Sequence, residues 1–513
     1  MQKKVHGAIA VWIGTALCGA LPAQVPPESV PAGTRAVQVP LSGRSGQAGS
    51  VTTVQNTAPG GTQSVNTLNS SVQVQGAYQG STPSAQTPGP AMNISLDEAV
   101  RRGLQYNLGP LGLQHAVRQM EGLERTQRAN LFPQISGGLV GVDQQTDLAA
   151  LGFSTVKGLS GIPTVIGPYH YFDFRAGLTQ SVVDLTRLNN FRASRENVSA
   201  TQFAAQDARD QVVLAVTGAY LQIIASAARI ESVRAQVNTA QAVYQQAADR
   251  HSAGVAPRID VTRSQVELQT DQQRLTSVEN DYAKQKIQFG RLIGLPPGQL
   301  FTLSDTVPYA PLTGITLDQA LNRAYTNRAD LKAAQTAVHA AEIVRKAAGE
   351  EKLPTAEISA DYGLIGVNPT SSHGTFSLSG AVRFPIWQGG RIQGDIEQAQ
   401  AALDQRRAEY EDLRGRVDAE IRSAFLDLKS AEQQVAVAQS NRDLARDTLA
   451  QSRDRFAAGV ADTVEVVQAQ ESVAAAEQDL ISALYAHNVA KATLARAMGQ
   501  ADQGIKQFLQ RQH

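Results

Sequence analysis

The residue types that most often carry catalysis or bind metals are few and scattered in this sequence of 513 residues. The phosphate-binding loop Gly-x-x-x-x-Gly-Lys-Ser/Thr, the zinc-binding pattern His-Glu-x-x-His and the nucleophile elbow Gly-x-Ser-x-Gly do not occur in it. Its eight histidines include no pair at the spacing of metal ligands. Ser154 and Lys157 match Ser-x-x-Lys, but they lie in a predicted surface loop without the accompanying motifs, so we interpret the match as chance. The sequence therefore predicts no enzyme activity, no cofactor and no metal site.

The N-terminus has the pattern of a secretory signal peptide, which we assign to residues 1–23. Lys3 and Lys4 precede an apolar run that is too short to cross a bilayer as a helix. The chain's only cysteine, Cys18, lies inside this segment and follows Leu17, where a lipoprotein signal has a small residue. A mature chain without cysteine is the favoured interpretation, and acylation of Cys18 is the alternative. We therefore expect an exported protein without disulfides or thiol chemistry.

Charge, hydropathy and proline usage exclude further classes of protein and locate a low-complexity segment. Forty-six basic residues balance forty-six acidic ones, so no net field would attract a nucleic acid. The mean hydropathy of −0.22 argues against a bundle of transmembrane helices. Nine of the 21 prolines lie between Pro22 and Pro90, and none follows Pro385. The low-complexity composition of residues 24–93 predicts a flexible arm, with a single strand over Ser71–Tyr78 as the alternative.

The rest of the sequence is an internal duplication. The segment Ile94–Ala99, Ile-Ser-Leu-Asp-Glu-Ala, recurs 221 residues later as Ile-Thr-Leu-Asp-Gln-Ala over Ile315–Ala320. Further along, Arg250–Ala256 recurs 205 residues later as Arg455–Ala461. The two offsets differ by 16 residues, which we assign to a Gly- and Pro-rich loop from about residue 148 to 168, where insertions cost little.

Apolar side chains recur at every seventh position through the second part of each copy. In the first copy one such row is Val216, Ile223, Ile230, Val237 and Tyr244, and in the second copy it includes Ile421, Leu428 and Val435. Alanines also recur by sevens in the second copy, which lets helix backbones approach closely in a coiled-coil arrangement. Each copy therefore predicts a helix of about 60 residues, a glycine-containing hairpin and a returning helix of about 38 residues. The missing prolines fit this prediction, because a proline inside such a helix would kink it.

Each copy also predicts two strands with one apolar and one polar face. In the second copy Ile358 and Tyr362 belong to the apolar row, and Ser359 and Asp361 belong to the polar row. A length of about 10–13 residues suits a tilted strand that crosses a bilayer. A pair of half-buried hairpins in a soluble sheet is the alternative. Because four strands cannot close a membrane barrel, the spanning interpretation requires several chains.

These patterns divide the sequence after the arm into a first repeat, a linker, a second repeat and a tail. The bounds are 94–300, 301–314, 315–500 and 501–513. The predicted strands are 134–145 and 171–183 in the first repeat, and 355–366 and 375–387 in the second. The predicted long helices are 188–250 and 258–295, then 390–456 and 462–499.

The order of these elements, present twice, resembles the TolC-like outer membrane efflux family. The matching features are the Ser/Thr-Leu-Asp-x-Ala openings, the prolines before the strands, the Arg-x-x-x-Gly-Val hairpins and the glycines that close the returning helices. They lie at Leu96 and Leu317, Pro133 and Pro354, Gly254 and Gly459, and Gly294 and Gly499. The resemblance covers residues 94–500. Each motif is weak by itself, and the ordered set in both copies is specific.

The resemblance implies a mainly α-helical fold with transmembrane β-strands and a location in the outer membrane, with most of the chain in the periplasm. Members of the family are homotrimers in which each chain contributes four strands to a 12-stranded barrel, continued by a periplasmic α-helical barrel. The implied function is the exit duct of a tripartite efflux or type I secretion system. The implied partners are a periplasmic adaptor (membrane fusion) protein, an inner membrane efflux pump or ABC transporter, and outer membrane lipid, and no nucleic acid.

The resemblance also assigns roles to single positions. The adaptor-docking hairpin tips would be Ala253, Gly254, Val255, Ala458, Gly459 and Val460. Just inside the tips, Asp260 and Glu465 occupy equivalent places, where the family often has carboxylates that ring the periplasmic entrance and favour cations. A second acidic position of some members is Gln468 here, which leaves the selectivity open. The alternative is that both carboxylates are solvated first-turn residues favoured by the helix dipole.

The sequence also allows a second function, that of a periplasmic scaffold without a membrane barrel. A periplasmic coiled-coil scaffold or adaptor would have similar helices, with its strands packed on soluble domains. The length of the strands and their single apolar face favour the duct. Trp387, at the end of a predicted strand, suits a membrane-interface belt, with ordinary packing as the alternative. Drug, metal and protein export cannot be separated from the sequence of the duct, because specificity lies largely in the pump.

Overall fold

The computed structural model describes residues 49–57, 68–148, 150, 163–305, 309–312, 314–461 and 463–501. The predicted signal peptide, the first part of the predicted arm and nearly all of the predicted tail lie outside the described residues. In chain order the strands and helices are β1 (Val51–Thr57), β2 (Leu68–Val74), β3 (Met92–Ile94), α1 (Leu96–Tyr106), α2 (Leu108–Ala129), β4 (Gln134–Asp147), β5 (Val165–Val183), α3 (Leu185–Ser252), α4 (Arg258–Leu292), β6 (Phe301–Leu303), α5 (Leu317–Asn327), α6 (Ala329–Glu350), β7 (Thr355–Gly366), β8 (His373–Arg383), α7 (Arg391–Ala457) and α8 (Thr463–Ala497). They form two compact units, a sheet unit of Ala129–Leu188 with Glu350–Gly389 and a helical unit of the other described residues.

The sheet unit is a single antiparallel sheet in the order β4-β5-β7-β8, in which the two repeats meet between β5 and β7. Residues directly opposite each other share a face, and the register puts Leu139 opposite Phe174 and Tyr362 opposite Phe376. The apolar face is exposed, because Leu139 is 70% and Phe376 is 80% accessible. The other face carries Asp173, Arg175, Ser359, Asp361 and Ser377. The predicted two-faced strands are confirmed.

The bounds of three strands differ from the prediction. β4 ends at Asp147 instead of 145, and β8 begins at His373 instead of 375. β5 begins at Val165 instead of 171, because it pairs with β4 out to Asp147, and this strand takes up the last residues of the predicted loop 148–168. β8 ends at Arg383 instead of 387, because Pro385 has no N–H to donate to the ladder.

The helical unit is built on the four long helices α3, α4, α7 and α8, of 68, 35, 67 and 35 residues. The predicted heptad rows are its core: Ile421 and Val435 are fully buried, and Leu428 is 6% accessible. α3 contains an 18-residue window that is long and apolar enough to cross a membrane, and 67% of that window is buried within the protein. Burial of this kind is typical of a core helix, so its apolar residues are explained by packing.

Both returning helices end on a glycine packed against the start of their own repeat. Gly294 and Gly499 have φ values of +71° and +70°, and a Cβ at Gly294 would lie 2.4 Å from Cβ of Tyr106. Asn107 donates from Nδ2 to the carbonyl of Leu292 at 3.5 Å, and in the second repeat Arg328 donates to the carbonyl of Ala497 at 3.4 Å. The duplication is therefore visible in individual hydrogen bonds as well as in the order of elements.

The prediction of a flexible arm over residues 24–93 is wrong for Val51–Thr57 and Leu68–Val74, and the alternative of a strand over Ser71–Tyr78 is right in part, because β2 ends at Val74. β1 and β2 form an antiparallel hairpin, and the hydroxyls of Thr53 in β1 and Thr493 in α8 lie 2.9 Å apart. Val72 occupies the space that a side chain at Gly218 would need, and Tyr78 is buried in the short 3-10 helix that follows. The hairpin gains order by burying these side chains against helices far away in sequence, which its own composition does not reveal.

The predicted linker of residues 301–314 contains a short strand. Phe301–Leu303 forms β6, which pairs in parallel with β3 at the start of the first repeat. Phe301 is buried and packs 5.8 Å from the ring of Phe289, centroid to centroid. The segment is therefore partly ordered by contacts with the first repeat.

Candidate functional site

The two hairpin tips have the same backbone geometry. In the first tip Gly254 donates to the carbonyl of His251 at 2.9 Å, and Val255 donates to that of Arg250 at 3.0 Å. In the second tip Gly459 and Val460 make the corresponding bonds to Phe456 and Arg455, at 3.1 and 3.0 Å. This pair of bonds is the Schellman motif, and it requires a left-handed residue, which Gly254 and Gly459 provide with φ values of +77° each.

Both tips present apolar side chains to solvent. Val255 and Val460 are each 68% accessible, and Ala253 and Ala458 beside them are exposed. A Schellman motif usually packs the residue after its glycine onto the preceding helical turn, which these two valines largely do not do. A pair of exposed valines at equivalent positions is suited to contact another protein.

The two hairpins are joined just behind the tips. The guanidinium of Arg250, on α3, donates to the carbonyl of Phe456 at 3.1 Å and lies 4.7 Å from the centre of its ring. Phe456 is buried in a small apolar cluster with Val243 of α3 and Val466 of α8. This contact fixes the end of α3 against the end of α7. The sequence placed Arg250 and Arg455 at equivalent positions and did not indicate that they would act differently.

The structure places both predicted carboxylates in the first turn of a returning helix, where they are half-buried. Glu465 pairs with Arg455 across the second hairpin, at 3.2 Å. Arg250 stands where Arg455 stands in the second repeat and is directed to Phe456 instead. Among the described residues, the carboxylate of Asp260 makes no ion pair. The two equivalent positions therefore differ in their electrostatic surroundings.

A cavity of about 710 Å³, lined by both charged and apolar side chains, lies between the hairpins and was not predicted from the sequence. It is lined by all four long helices, including Arg229, Gln236, Glu267, Asp271, Arg446 and Gln470. Burial raises the pKa of Glu267 and of Asp271, and Arg274 at 3.7 Å partly opposes the rise at Asp271. The only feature of the sequence that indicates this cavity is the presence of charged residues on α4 within a heptad pattern. Among the described residues, no group of three or more His, Cys, Asp or Glu side chains could hold a metal ion.

Large apolar side chains are also exposed where β8 leads into α7. Phe384 is 66%, Ile386 94% and Trp387 86% accessible, so Trp387 is not packed in the core of its own chain. Its place in a membrane-interface belt stays a prediction.

Comparison with known proteins decides between the two classes of function. The family model described as outer membrane efflux protein matches residues 112–295 and 320–500, one match on each repeat. The chain belongs to the outer membrane efflux protein family. It is 24% identical over 423 residues to the pyoverdine export outer membrane protein OpmQ of Pseudomonas aeruginosa, covering 81% of this chain and 87% of that protein. It is 26% identical over 335 residues to the outer membrane efflux protein BepC of Brucella suis, covering 61% and 69%.

Solved structures of outer membrane channels have the same fold. The outer membrane protein VceC of Vibrio cholerae aligns with a TM-score of 0.67 at 18% identity, covering 79% of this chain and 96% of that chain. CusC aligns with a TM-score of 0.69 at 18% identity, covering 82% and 98%. The predicted fold class, the duplicated repeat and the location in the outer membrane with a large periplasmic helical part are confirmed. This member of the outer membrane efflux protein family is the outer membrane channel of an efflux system.

Proposed function

We propose that three copies of this chain form one exit duct, which receives small organic compounds from an inner membrane pump through a periplasmic adaptor. The observation that carries the proposal is the four-stranded sheet, whose edge strands β4 and β8 each pair on one side only among the described residues. Unpaired edges beside an exposed apolar face have no stable place in water or in lipid. Pairing β8 of one copy with β4 of the next would satisfy both edges, and three copies would close a barrel of 12 strands.

Exposed apolar rows on the long helices support the same assembly. On α4, Ile259, Val266 and Ile287 are separated by multiples of seven and are 55%, 57% and 74% accessible. On α7, Val437 and Leu444 are likewise seven apart and are 50% and 63% accessible. Heptad rows that one chain leaves exposed are suited to pack against helices of neighbouring copies.

The hairpin tips support a docking role. Val255 and Val460 offer two equal apolar contacts on hairpins that Arg250 holds side by side. We assign the adaptor-docking surface to Ala253, Gly254, Val255, Ala458, Gly459 and Val460. Asp260 and Glu465, a few residues further along, would line the entrance and favour cations, with Asp260 the stronger contributor because Arg455 pairs with Glu465.

We infer the class of exported compound from the names of related proteins. Besides the pyoverdine export protein, the chain is 23% identical over 398 residues to a toluene efflux pump outer membrane protein of Pseudomonas putida, covering 73% of this chain and 76% of that protein. Both names refer to small organic compounds, so we favour their export over protein secretion. The chain would act as a passive duct without catalysis of its own.

Assembly and conductance test the proposal together. The full-length chain, expressed in a Gram-negative host, should be extracted only by detergent and should have the mass of a trimer by light scattering. In planar bilayers the same preparation should give stable channels. A monomer that stays soluble without detergent would contradict the duct and favour the scaffold. A variant with Val255→Asp and Val460→Asp should still form trimeric channels but lose adaptor crosslinking and export, and retained crosslinking would contradict the assigned docking surface.

A further inference from the structure

The segment between the two repeats is fastened by one lysine from each repeat. Lys286 of α4 donates from Nζ to the carbonyl of Phe301 at 2.6 Å, and Lys491 of α8 donates to the carbonyl of Ala310 at 2.8 Å. The two lysines are 205 residues apart, which is the offset of the repeat. Each therefore occupies the same place in its own hairpin and holds one end of the connecting segment. We call the second end of this segment, Tyr309–Leu312, the connector.

The surroundings of the two lysines differ. Lys286 is half-buried, with the ring of Phe301 at 4.7 Å. Lys491 is 2% accessible and lies in a polar group with the buried His487 of the same helix and the half-buried Glu432 of α7. Glu432 accepts a hydrogen bond from the backbone N–H of Leu312 at 3.2 Å. The connector is thus held at two points, by a buried ammonium and by a carboxylate.

His487 lies between these two fastening groups without a hydrogen bond of its own. It is fully buried, and neither ring nitrogen has a partner within the described residues. Its Nε2 is 3.9 Å from Oε1 of Glu432, and its ring packs 5.0 Å from that of Tyr309, centroid to centroid. The charged and titratable groups that face it are Glu432 from α7, Lys491 from α8 and Tyr309 from the connector.

We propose that Glu432, His487 and Lys491 form a proton-sensitive latch that holds the connector at neutral pH and loosens it when His487 gains a proton. An imidazolium at this place would attract the oxygen of Glu432 that binds Leu312. It would also repel the ammonium of Lys491 that binds Ala310. One proton would therefore weaken both fastening points. The first repeat has Tyr282 at the position of His487, so its lysine has no such neighbour.

The direction of the pH effect follows from the buried state of the ring. Burial, and then the charge of Lys491, lower the pKa of His487 from 6.5 to about 4. Because a loosened connector would expose the ring and restore its ordinary pKa, the loosened form binds more protons between these two values. The latch is therefore strongest above pH 6.5 and weakens as the pH falls toward 4. Burial lowers the pKa of Lys491 to about 8, so Lys491 stays largely protonated throughout this range.

Hydrogen exchange of the full chain in detergent, followed by mass spectrometry, tests the latch. The readout is the protection of a peptide containing Tyr309–Leu312, corrected for the chemical dependence of exchange on pH. Between pH 7 and pH 5 the opening equilibrium should rise about twentyfold, as expected for a group whose pKa moves between 4 and 6.5. Constant protection of this peptide in the unmodified chain would overturn the proposal by itself.

Variants identify the group that titrates. His487→Gln and His487→Phe should both reduce the change between pH 7 and pH 5 to less than about threefold. His339→Gln is the matched control, because His339 lies on the surface of α6 and should leave the change intact. Lys286→Met should loosen Phe301–Leu303 and leave the pH response of the connector unaltered. A full response that persists in both His487 variants would assign the titration to another group and reject the latch. The proposal does not depend on what the duct exports.

Discussion

Arg250 at the end of the first hairpin lies over the ring of Phe456 at the end of the second, 4.7 Å from its centre, and donates to its carbonyl at 3.1 Å. The contact stabilises the last turn of α7 in two ways. The cation faces the negative end of the helix dipole, and it adds a hydrogen bond to the carbonyl of Phe456, which also accepts from the N–H of Gly459. It also joins the ends of α3 and α7 just behind the two exposed valines, Val255 and Val460.

Removal of this arginine should loosen the second tip. We expect Arg250→Met to lower the free energy of local opening at the end of α7 by about 1 kcal/mol, through loss of the cation–π contact and the hydrogen bond. Hydrogen exchange of a peptide containing Phe456 should accelerate about fivefold. Arg455→Met is the control at the equivalent position, because its ion pair with Glu465 is partly exposed and contributes little. Equal effects of the two substitutions would show that Arg250 and Arg455 stabilise the tips to the same extent, against our expectation.

The glycines with positive φ should fall into two classes. Gly254→Ala and Gly459→Ala have open space for the new Cβ, so we expect only the backbone strain, about 1 kcal/mol each. Gly294→Ala and Gly499→Ala carry the same strain and also a clash, and should cost clearly more. Denaturant titration in detergent provides the comparison. Gly415→Ala, in an exposed part of α7 with open space, is the control and should stabilise the protein by about 0.5–1 kcal/mol. Similar losses at Gly254 and Gly294 would show that packing against Tyr106 is unimportant.

Charge reversal should show which carboxylate sets ion preference. Asp260→Lys should lower the ratio of cation to anion permeability more than Glu465→Lys does, because Glu465 is already paired with Arg455. Single-channel reversal potentials in a salt gradient measure this ratio. Asp281→Lys, at an exposed position on α4, is the control. Unchanged selectivity after reversal at both positions would remove them from the channel entrance.

A half-buried carboxylate on α3, Asp210, should be destabilising at neutral pH. Burial, followed by the charge of Asp207, raises the pKa of Asp210 from 3.8 to about 6. The folded state therefore holds a proton that the unfolded state releases, and stability is lost as the pH rises from about 4 to 6. We expect Asp210→Asn to raise the free energy of unfolding at pH 7 by about 2 kcal/mol and to change it little at pH 4. Asp281→Asn should have little effect at either pH, because Asp281 is exposed. An equal gain at both pH values would point to packing instead of charge.

Trp387 offers a direct test of membrane contact. It is the only tryptophan outside the predicted signal peptide, which contains Trp12. In liposomes its fluorescence should be quenched by brominated lipid and resist iodide, because its 86% exposed side chain would lie at the membrane interface. Trp387→Phe should abolish the signal. Quenching by iodide alone would place the segment between β8 and α7 in water.

The sequence predicted the local elements well because their patterns are local. The heptad row through Ile421 and Val435 and the alternation around Tyr362 each repeat over many residues, and both are present in the structure. The offset of 205 residues also placed Asp260 and Glu465 correctly in equivalent first turns. The arm was misjudged because the order of Val72 depends on a gap left by Gly218, a residue in a different element.

Proline usage, heptad spacing and strand alternation by themselves determined that this chain is a duplicated, mainly helical protein with two-faced strands. The spacing of apolar residues in such patterns depends only on the backbone geometry of helices and strands, which is the same in every protein. The tertiary structure alone decided how equivalent residues diverge. Arg250 and Arg455 have the same place in their repeats, as do Lys286 and Lys491, yet their partners differ. Partners are set by which side chains two distant segments bring within a few ångströms, and burial then fixes the charge each group can carry.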